Sequence, residues 1–212
     1  MNLLIEYQYL SSVILFKNSF YFSHIIFEQY EFYQKMSFRN RCVIAGANGV
    51  ITLSIPLADG RDQKKISKDV RIANAHHWQD QHWKTIVSCY NKSPWFEFYK
   101  EELHELYLRK FSFLVDWNLA CFEWIVKKLE LPISYSVSSY FAKQYDATDD
   151  WRNKILPRNY TDFKAVKYRQ VFEERIGFLP NLSILDLLFC EGKGARSLLA
   201  QSDIPEKRTN GL

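Results

Sequence analysis

An Asn-Gly pair at 48–49 sits between two apolar runs, Ile44-Ala45-Gly46-Ala47 before it and Val50-Ile51-Thr52-Leu53-Ser54-Ile55-Pro56 after it. Asn and Gly tolerate the positive φ that tight antiparallel turns require, so this pattern predicts a β-hairpin at a fixed place. A chain with that hairpin cannot be all-helical. Beyond residue 74 the hydrophobic period changes from two to about 3.6. Asn74 is placed to cap a helix from about His76 to Tyr90, with Trp78, His82, Ile86 and Cys89 on one face. Ser93 caps the next, with Pro94 in its first turn and Phe96, Tyr99, Leu103, Leu106 and Tyr107 on its inner face. A third, Leu114 to Leu131, turns Trp117, Cys121, Trp124 and Ile125 inward, stops at Pro132 and carries Lys127 and Lys128 where the helix dipole favours cations.

Ahead of the hairpin, Leu3-Leu4-Ile5 reads as a strand, Val13 to Phe22 as a helix and His24-Ile25-Ile26-Phe27 as a second strand, a β-α-β start. Asp59 to Lys68 reads as a surface loop, and Val70-Arg71-Ile72 as a strand. Tyr135 to Lys154 reads as a loop or hinge, and Tyr168 to Phe172 as another strand. Ser183 opens an apolar helix that Gly192 and Gly194 close. The expected class is α/β: a mixed sheet with the β-α-β start, the hairpin and a largely helical middle section. Residues 1–201 are expected to form one domain and 202–212 a frayed tail.

Composition limits the function classes. Sixteen Phe, 13 Tyr and 6 Trp fill a core and leave rings for a pocket. A net charge of +4 is too small for a nucleic-acid binder without a concentrated patch. Cys42, Cys89, Cys121 and Cys190 lie in apolar surroundings without metal-ligand spacing, which predicts reduced thiols in a cytoplasmic protein. The first residues, Met1 to Glu6, have no basic stretch ahead of an apolar core, and no run reaches the length of a membrane span. Neither export nor integral membrane association is expected.

The most concentrated chemical signal is Tyr33-Gln34-Lys35-Met36-Ser37-Phe38-Arg39-Asn40-Arg41-Cys42. As a strand it would put Lys35, Ser37, Arg39 and Arg41 on one face, cations roughly 7 Å apart suited to a phosphate or carboxylate. The competing reading is a solvated edge face. Glu28 and Glu31, just upstream, are candidates for a general base or for holding a divalent cation. His77 and His82 are five apart and would diverge on a helix, which argues against zinc, so no metal is assigned. His82 falls on the core face of its helix, with general-base work as the minority role. Gly192-Lys193-Gly194 follows a helix instead of preceding one and reads as a C-cap, not a phosphate loop. No covalent nucleophile and no cofactor can be named.

The run Phe27-Glu28-Gln29-Tyr30-Glu31 followed by Tyr33 to Arg41 resembles the N-terminal signature of the WbqC-like protein family, where an acidic-aromatic strand leads into a Q-K-x-S-x-x-N-R segment. The resemblance continues through Leu53-Ser54-Ile55-Pro56, Trp78, His82-Trp83, Pro94-Trp95-Phe96 and Leu114-Val115-Asp116-Trp117-Asn118 to Leu182-Ser183-Ile184-Leu185-Asp186-Leu187-Leu188-Phe189. One departure stands out: the family's proline-containing turn after the first strand is replaced here by Gln8-Tyr9-Leu10-Ser11-Ser12. The resemblance implies bacterial surface-polysaccharide or O-antigen synthesis, with glycine transfer onto an amino sugar as the suggested activity. On that reading Lys35, Ser37, Arg39 and Arg41 bind the anion of a nucleotide sugar, Gln34 and Asn40 hydrogen-bond the substrate, and Glu28 or His82 is the base. The alternative is a non-catalytic sugar-nucleotide-binding or assembly protein with a protein partner.

Overall fold

The computed structural model describes residues 2–60, 62–145 and 148–201; the expected tail, 202–212, lies outside the described residues. Strands β1 (Asn2–Glu6) and β2 (His24–Glu28) pair in parallel, from Asn2 opposite His24 to Glu6 opposite Glu28. Parallel neighbours need a crossover, and α1 (Val13–Ser19), buried at every residue, supplies it. This is the β-α-β start read from the apolar runs.

Two further strands complete the sheet. β5 (Tyr135–Val137) adds outside β2 and β6 (Thr148–Asp150) outside β1, both parallel, giving the order β5-β2-β1-β6. The stretch expected to be a loop or hinge therefore provides both edges. The edges are three residues long and polar, as short, half-exposed edge strands commonly are, and an apolar pattern could not reveal them.

The hairpin forms as a separate pair, β3 (Arg41–Gly46) against β4 (Gly49–Ser54). Its turn is centred on Ala47 and Asn48, with Gly46 paired to Gly49, and the positive φ of +126° falls on Gly49. The helical middle follows as α2 (Trp78–Tyr90), α3 (Phe96–Leu108) and α4 (Leu114–Lys128), and the faces predicted for α2 and α3 are buried. α5 (Glu173–Ile176), α6 (Ile184–Glu191) and α7 (Gly194–Gln201) close the order. Buried side chains from Leu3 to Leu199 form one continuous apolar cluster.

Two expected strands are not strands. Arg71 and Ile72 make single bridges to Phe113 and Leu57, while Val70 and Ile72 insert into the core. Within 168–172 the Gln170 side chain substitutes for a neighbouring strand, accepting from Leu179 N and donating to Leu179 O, both at 2.8 Å. Gly192 is the C-cap of α6, with φ +55° and the Trp95 ring against its Cα. A Cβ there would lie 2.4 Å from the indole.

The turn after β1 holds its shape without proline. Leu10 takes φ +40°, Ser11 Oγ donates to Gln8 O, and Ser12 caps α1 through Ile14 N. Ser183 Oγ donates to Leu10 O at 2.7 Å, and Val13 N and Ile184 N bond across to Leu182 and Ser11. Tertiary contacts to the start of α6 thus do what a fixed φ would otherwise do. Among the described residues no helix is long and apolar enough to cross a membrane, and the four cysteines are free and buried.

Candidate functional site

Crevices at the carboxyl ends of parallel strands are where open α/β sheets bind ligands. Here the last residues of the two central strands are Glu6 and Glu28, in register and fully buried. An apolar strand that ends in a buried carboxylate demands partners, since an unpaired buried charge is costly. Glu28 has four: Oε1 accepts from Tyr30 N (2.7 Å) and Ser138 Oγ (2.8 Å), and Oε2 from Tyr145 OH (3.0 Å) and Arg152 Nη1 (3.4 Å). Glu6 accepts from Gln8 Nε2 at 3.0 Å and Asn153 N at 2.8 Å.

Arg152 follows the end of β6 and is the hub of the cluster. Its Nε and Nη2 grip Asp150, Nη1 reaches Glu28 and Ala142 O, and Nη2 also reaches Lys143 O. The Asp150 hydrogen bond is the main reason its pKa is raised, with Glu28 and Glu31 adding to it. The guanidinium also lies over the rings of Phe141 and Tyr145.

Glu31 and Arg39 form a second buried pair, the Arg39 Nη2 donating to Glu31 Oε1. Burial raises the Glu31 pKa, Arg39 opposes that rise, and the charges of Glu6 and Glu28 reinforce it. The two pairs are thus one electrostatic unit. Among the described residues, Arg39 Nε and Nη1 have no partner, and neither do Ser67 Oγ and Asn118 Oδ1. Arg39, Ser67 and Asn118 line a common void of about 10 Å³ with Tyr7, Tyr33, Leu114 and Val115. That is room for about one water molecule.

The remaining residues singled out in the sequence are dispersed. The segment 33–40 is not a strand: Met36 takes φ +56° and Ser37 Oγ turns back to Gln34 O at 2.6 Å. The shared face of Lys35, Ser37, Arg39 and Arg41 therefore does not form. Gln34 is exposed, Lys35 is exposed and paired with Asp62 at 2.5 Å, and Arg41 is half-buried with Nη1 against Met36 Sδ. Asn40 ties β4's exit, accepting from Tyr33 OH and donating to Ile55 O. Only Arg39 joins Glu28 and Glu31 in the cluster.

His82 lies in the aromatic core. Tyr9 OH is 2.9 Å from His82 Nδ1 and is also bonded to Tyr107 OH, and Trp78 packs edge-on against the imidazole. Burial lowers the His82 pKa to about 4.

Sequence reading missed Glu6, Gln8, Tyr145, Arg152 and Asn153. A signal for Glu6 was present: each of the first two apolar runs is followed by glutamate, and a β-α-β unit sets those two ends side by side. Arg152 had no such signal, because β6 is assigned by its pairing and not by its composition.

A family model described as the WbqC-like protein family matches residues 15–157 and 133–198. The chain belongs to the WbqC-like protein family. That family is linked to O-antigen and related polysaccharide proteins. Comparison with curated proteins and with solved structures gives no match. The matched span contains Glu28, Glu31, Arg39, Tyr145, Arg152 and His82, while Glu6 and Gln8 precede it. Among the described residues no group of three His, Cys, Asp or Glu is arranged to hold a metal ion.

Proposed function

We propose that this chain is a cytoplasmic transferase of surface-polysaccharide synthesis, moving glycine or a similar acyl group onto a nucleotide-linked amino sugar at the carboxyl edge of the parallel sheet. The observation that carries the reading is the unpaired polar atoms of the buried cluster. Gln8 Oε1 and Asn153 Oδ1 beside Glu6 are unused acceptors, and Arg39 Nε and Nη1 beside Glu31 are unused donors. Each buried atom left unpaired costs about 1–3 kcal/mol, which a ligand of complementary polarity recovers. An amino sugar on a diphosphate offers both kinds of group: amine and hydroxyl hydrogens for the acceptors, phosphate oxygens for the guanidinium.

In this reading the sugar amine attacks the carbonyl of an activated glycyl donor, an ester or thioester, Glu28 takes the amine proton, and the donor's alcohol or thiol leaves as the amide forms. Arg152 and Arg39 face the anionic part of the ligand. Gln34, Lys35 and Arg41 stand at the outer side of the same segment, with Ser37 and Asn40 holding its turns. His82 is set aside as base in this reading, since it is buried in the aromatic core with Nδ1 against Tyr9 OH. One observation favours the second reading, a non-catalytic binder or assembly protein: Glu28 already accepts four hydrogen bonds.

A thermal-shift screen against UDP-linked amino sugars, with and without magnesium, followed by turnover with glycine donors, tests both. The transferase predicts that Glu28→Gln keeps the shift and loses turnover by at least about 100-fold, the scale of general-base catalysis. A shift without turnover in the wild type selects the binder. No shift with any sugar nucleotide removes the transferase and the sugar-nucleotide binder and leaves an assembly role with a protein partner.

A further inference from the structure

Residues 138–145 run from the end of β5 across the buried cluster, and only Ser138 among them is buried. Tyr140 and Phe141 are 62% and 51% exposed, so the segment gains almost nothing from apolar burial. What holds it is polar: its ends are anchored by Ser138 N to Phe27 O, by Gln29 N and Nε2 to Ser138, and by Thr148 Oγ1 to Tyr145 O, while Glu28 and Arg152 supply the bonds that draw it over the cluster. Glu28 takes its first residue through Ser138 Oγ and its last through Tyr145 OH, one carboxylate oxygen each. Arg152 takes its middle through Ala142 O and Lys143 O, both at 3.0 Å. The Tyr145 hydroxyl also lies 2.6 Å from Tyr140 O, so its single proton is shared between that carbonyl and Glu28.

We infer that residues 138–145 are a gate over the carboxyl edge, latched in the closed state by Glu28 and Arg152 themselves. The inference rests on the ligand-site reading above and names how access to that site is controlled. With Glu6 and Glu28 fully buried and the neighbouring void about 10 Å³, a sugar-sized ligand cannot reach the cluster while the segment is closed. A ligand anion that takes Arg152, or an amine that takes Glu28, replaces the bonds that hold the gate. Binding and opening are thus alternative uses of the same donors and acceptors. Loops attached by a few polar bonds with little buried apolar surface occupy the low end of local stability, where such openings are populated.

Trypsin reads the latch directly. The Lys143–Gln144 bond is the one whose carbonyl Arg152 holds, and Lys143 is exposed. Tyr145→Phe deletes the hydroxyl latch to Glu28, Ser138→Ala deletes the other together with the acceptor of Gln29 N, and both leave the charges in place. When opening and closing are fast, cleavage tracks the population of the open form. Each variant should be cut at Lys143–Gln144 about tenfold faster than the wild type, the worth of one hydrogen bond to a charged group. Cuts elsewhere, mapped by mass spectrometry, should be unchanged. Wild-type cleavage rates at Lys143–Gln144 in both variants overturn the gate; so does a parallel rise at every site, which is global destabilisation. The assay needs no ligand. A segment that opens in the variants while UDP-linked amino sugars bind neither variant nor wild type upholds the gate and sinks the substrate reading. A segment cut no faster sinks the gate even if those sugars bind.

Discussion

Glu6 and Glu28 are paired residues at the carboxyl ends of adjacent parallel strands, both wholly out of water, and Arg152 from the neighbouring strand end reaches Glu28 but has no bond to Glu6. The two carboxylates are therefore held differently. Glu28 is tied by a guanidinium, two hydroxyls and an amide; Glu6 by one side-chain amide and one backbone N–H. Four predictions follow from this cluster and from the two buried titratable groups outside it.

Removing the Glu28 carboxylate leaves Arg152 with Asp150 as its one ionic partner. Glu28→Ala should lower stability by about 3–5 kcal/mol, the cost of breaking a buried pair from one side. Denaturant unfolding measures it. A loss below about 1 kcal/mol would mean that Asp150 suffices.

Arg39 and Lys35 lie four residues apart and should behave differently. Lys35→Ala breaks an exposed pair with Asp62 and should change stability by less than about 0.5 kcal/mol. Arg39→Ala strands the buried Glu31 and should cost several times more. Equal effects would contradict the buried geometry of Arg39.

Asp186 is wholly buried on α6; among the described residues Oδ2 has no partner, and Cys190 Sγ lies 3.9 Å from Oδ1. Burial raises its pKa to about 7 from the ordinary 3.8. Between those values the unfolded chain has lost the proton that the folded chain keeps, so stability falls as pH rises. Asp186→Asn should be near-neutral at pH 4 and stabilising by a few kcal/mol at pH 8, on the order of the shift itself. Unfolding midpoints for both proteins across that range test the sign.

His82 has the opposite slope. Its folded pKa of about 4 lies below the ordinary 6.5, so its contribution is complete above pH 6.5 and is lost as pH falls through 4. His82→Gln should be less stable than the wild type at pH 7.5, and the gap should narrow steadily toward pH 4. Because Asp186 and His82 titrate in the same window with opposed signs, the wild type should show a flatter profile than either variant.

The faces of α2 and α3 were legible in the sequence because a helix that packs on one side repeats its apolar residues at its own period. Trp78, His82, Ile86 and Cys89 needed no neighbour to be identified. The hairpin was legible because Asn-Gly is local chemistry, although the turn settles one residue earlier than the pair implies. The segment 33–41 was legible in composition and not in shape: the positive φ of Met36 turns alternate residues away from a common face, and neither Gly nor Asn marks the spot.

By itself, then, the sequence determined the elements with a periodic signature and the family to which the chain belongs, since both are written in local order. The tertiary structure alone decided which charges meet. β5 and β6 exist only as partners of β2 and β1, so nothing in Tyr135–Val137 or Thr148–Asp150 announces a strand. Their pairing brings Ser138, Tyr145 and Arg152 to Glu28 across more than 100 residues of chain. A buried charge is tolerable only where such distant partners converge, and convergence is a property of the sheet, not of any segment in it.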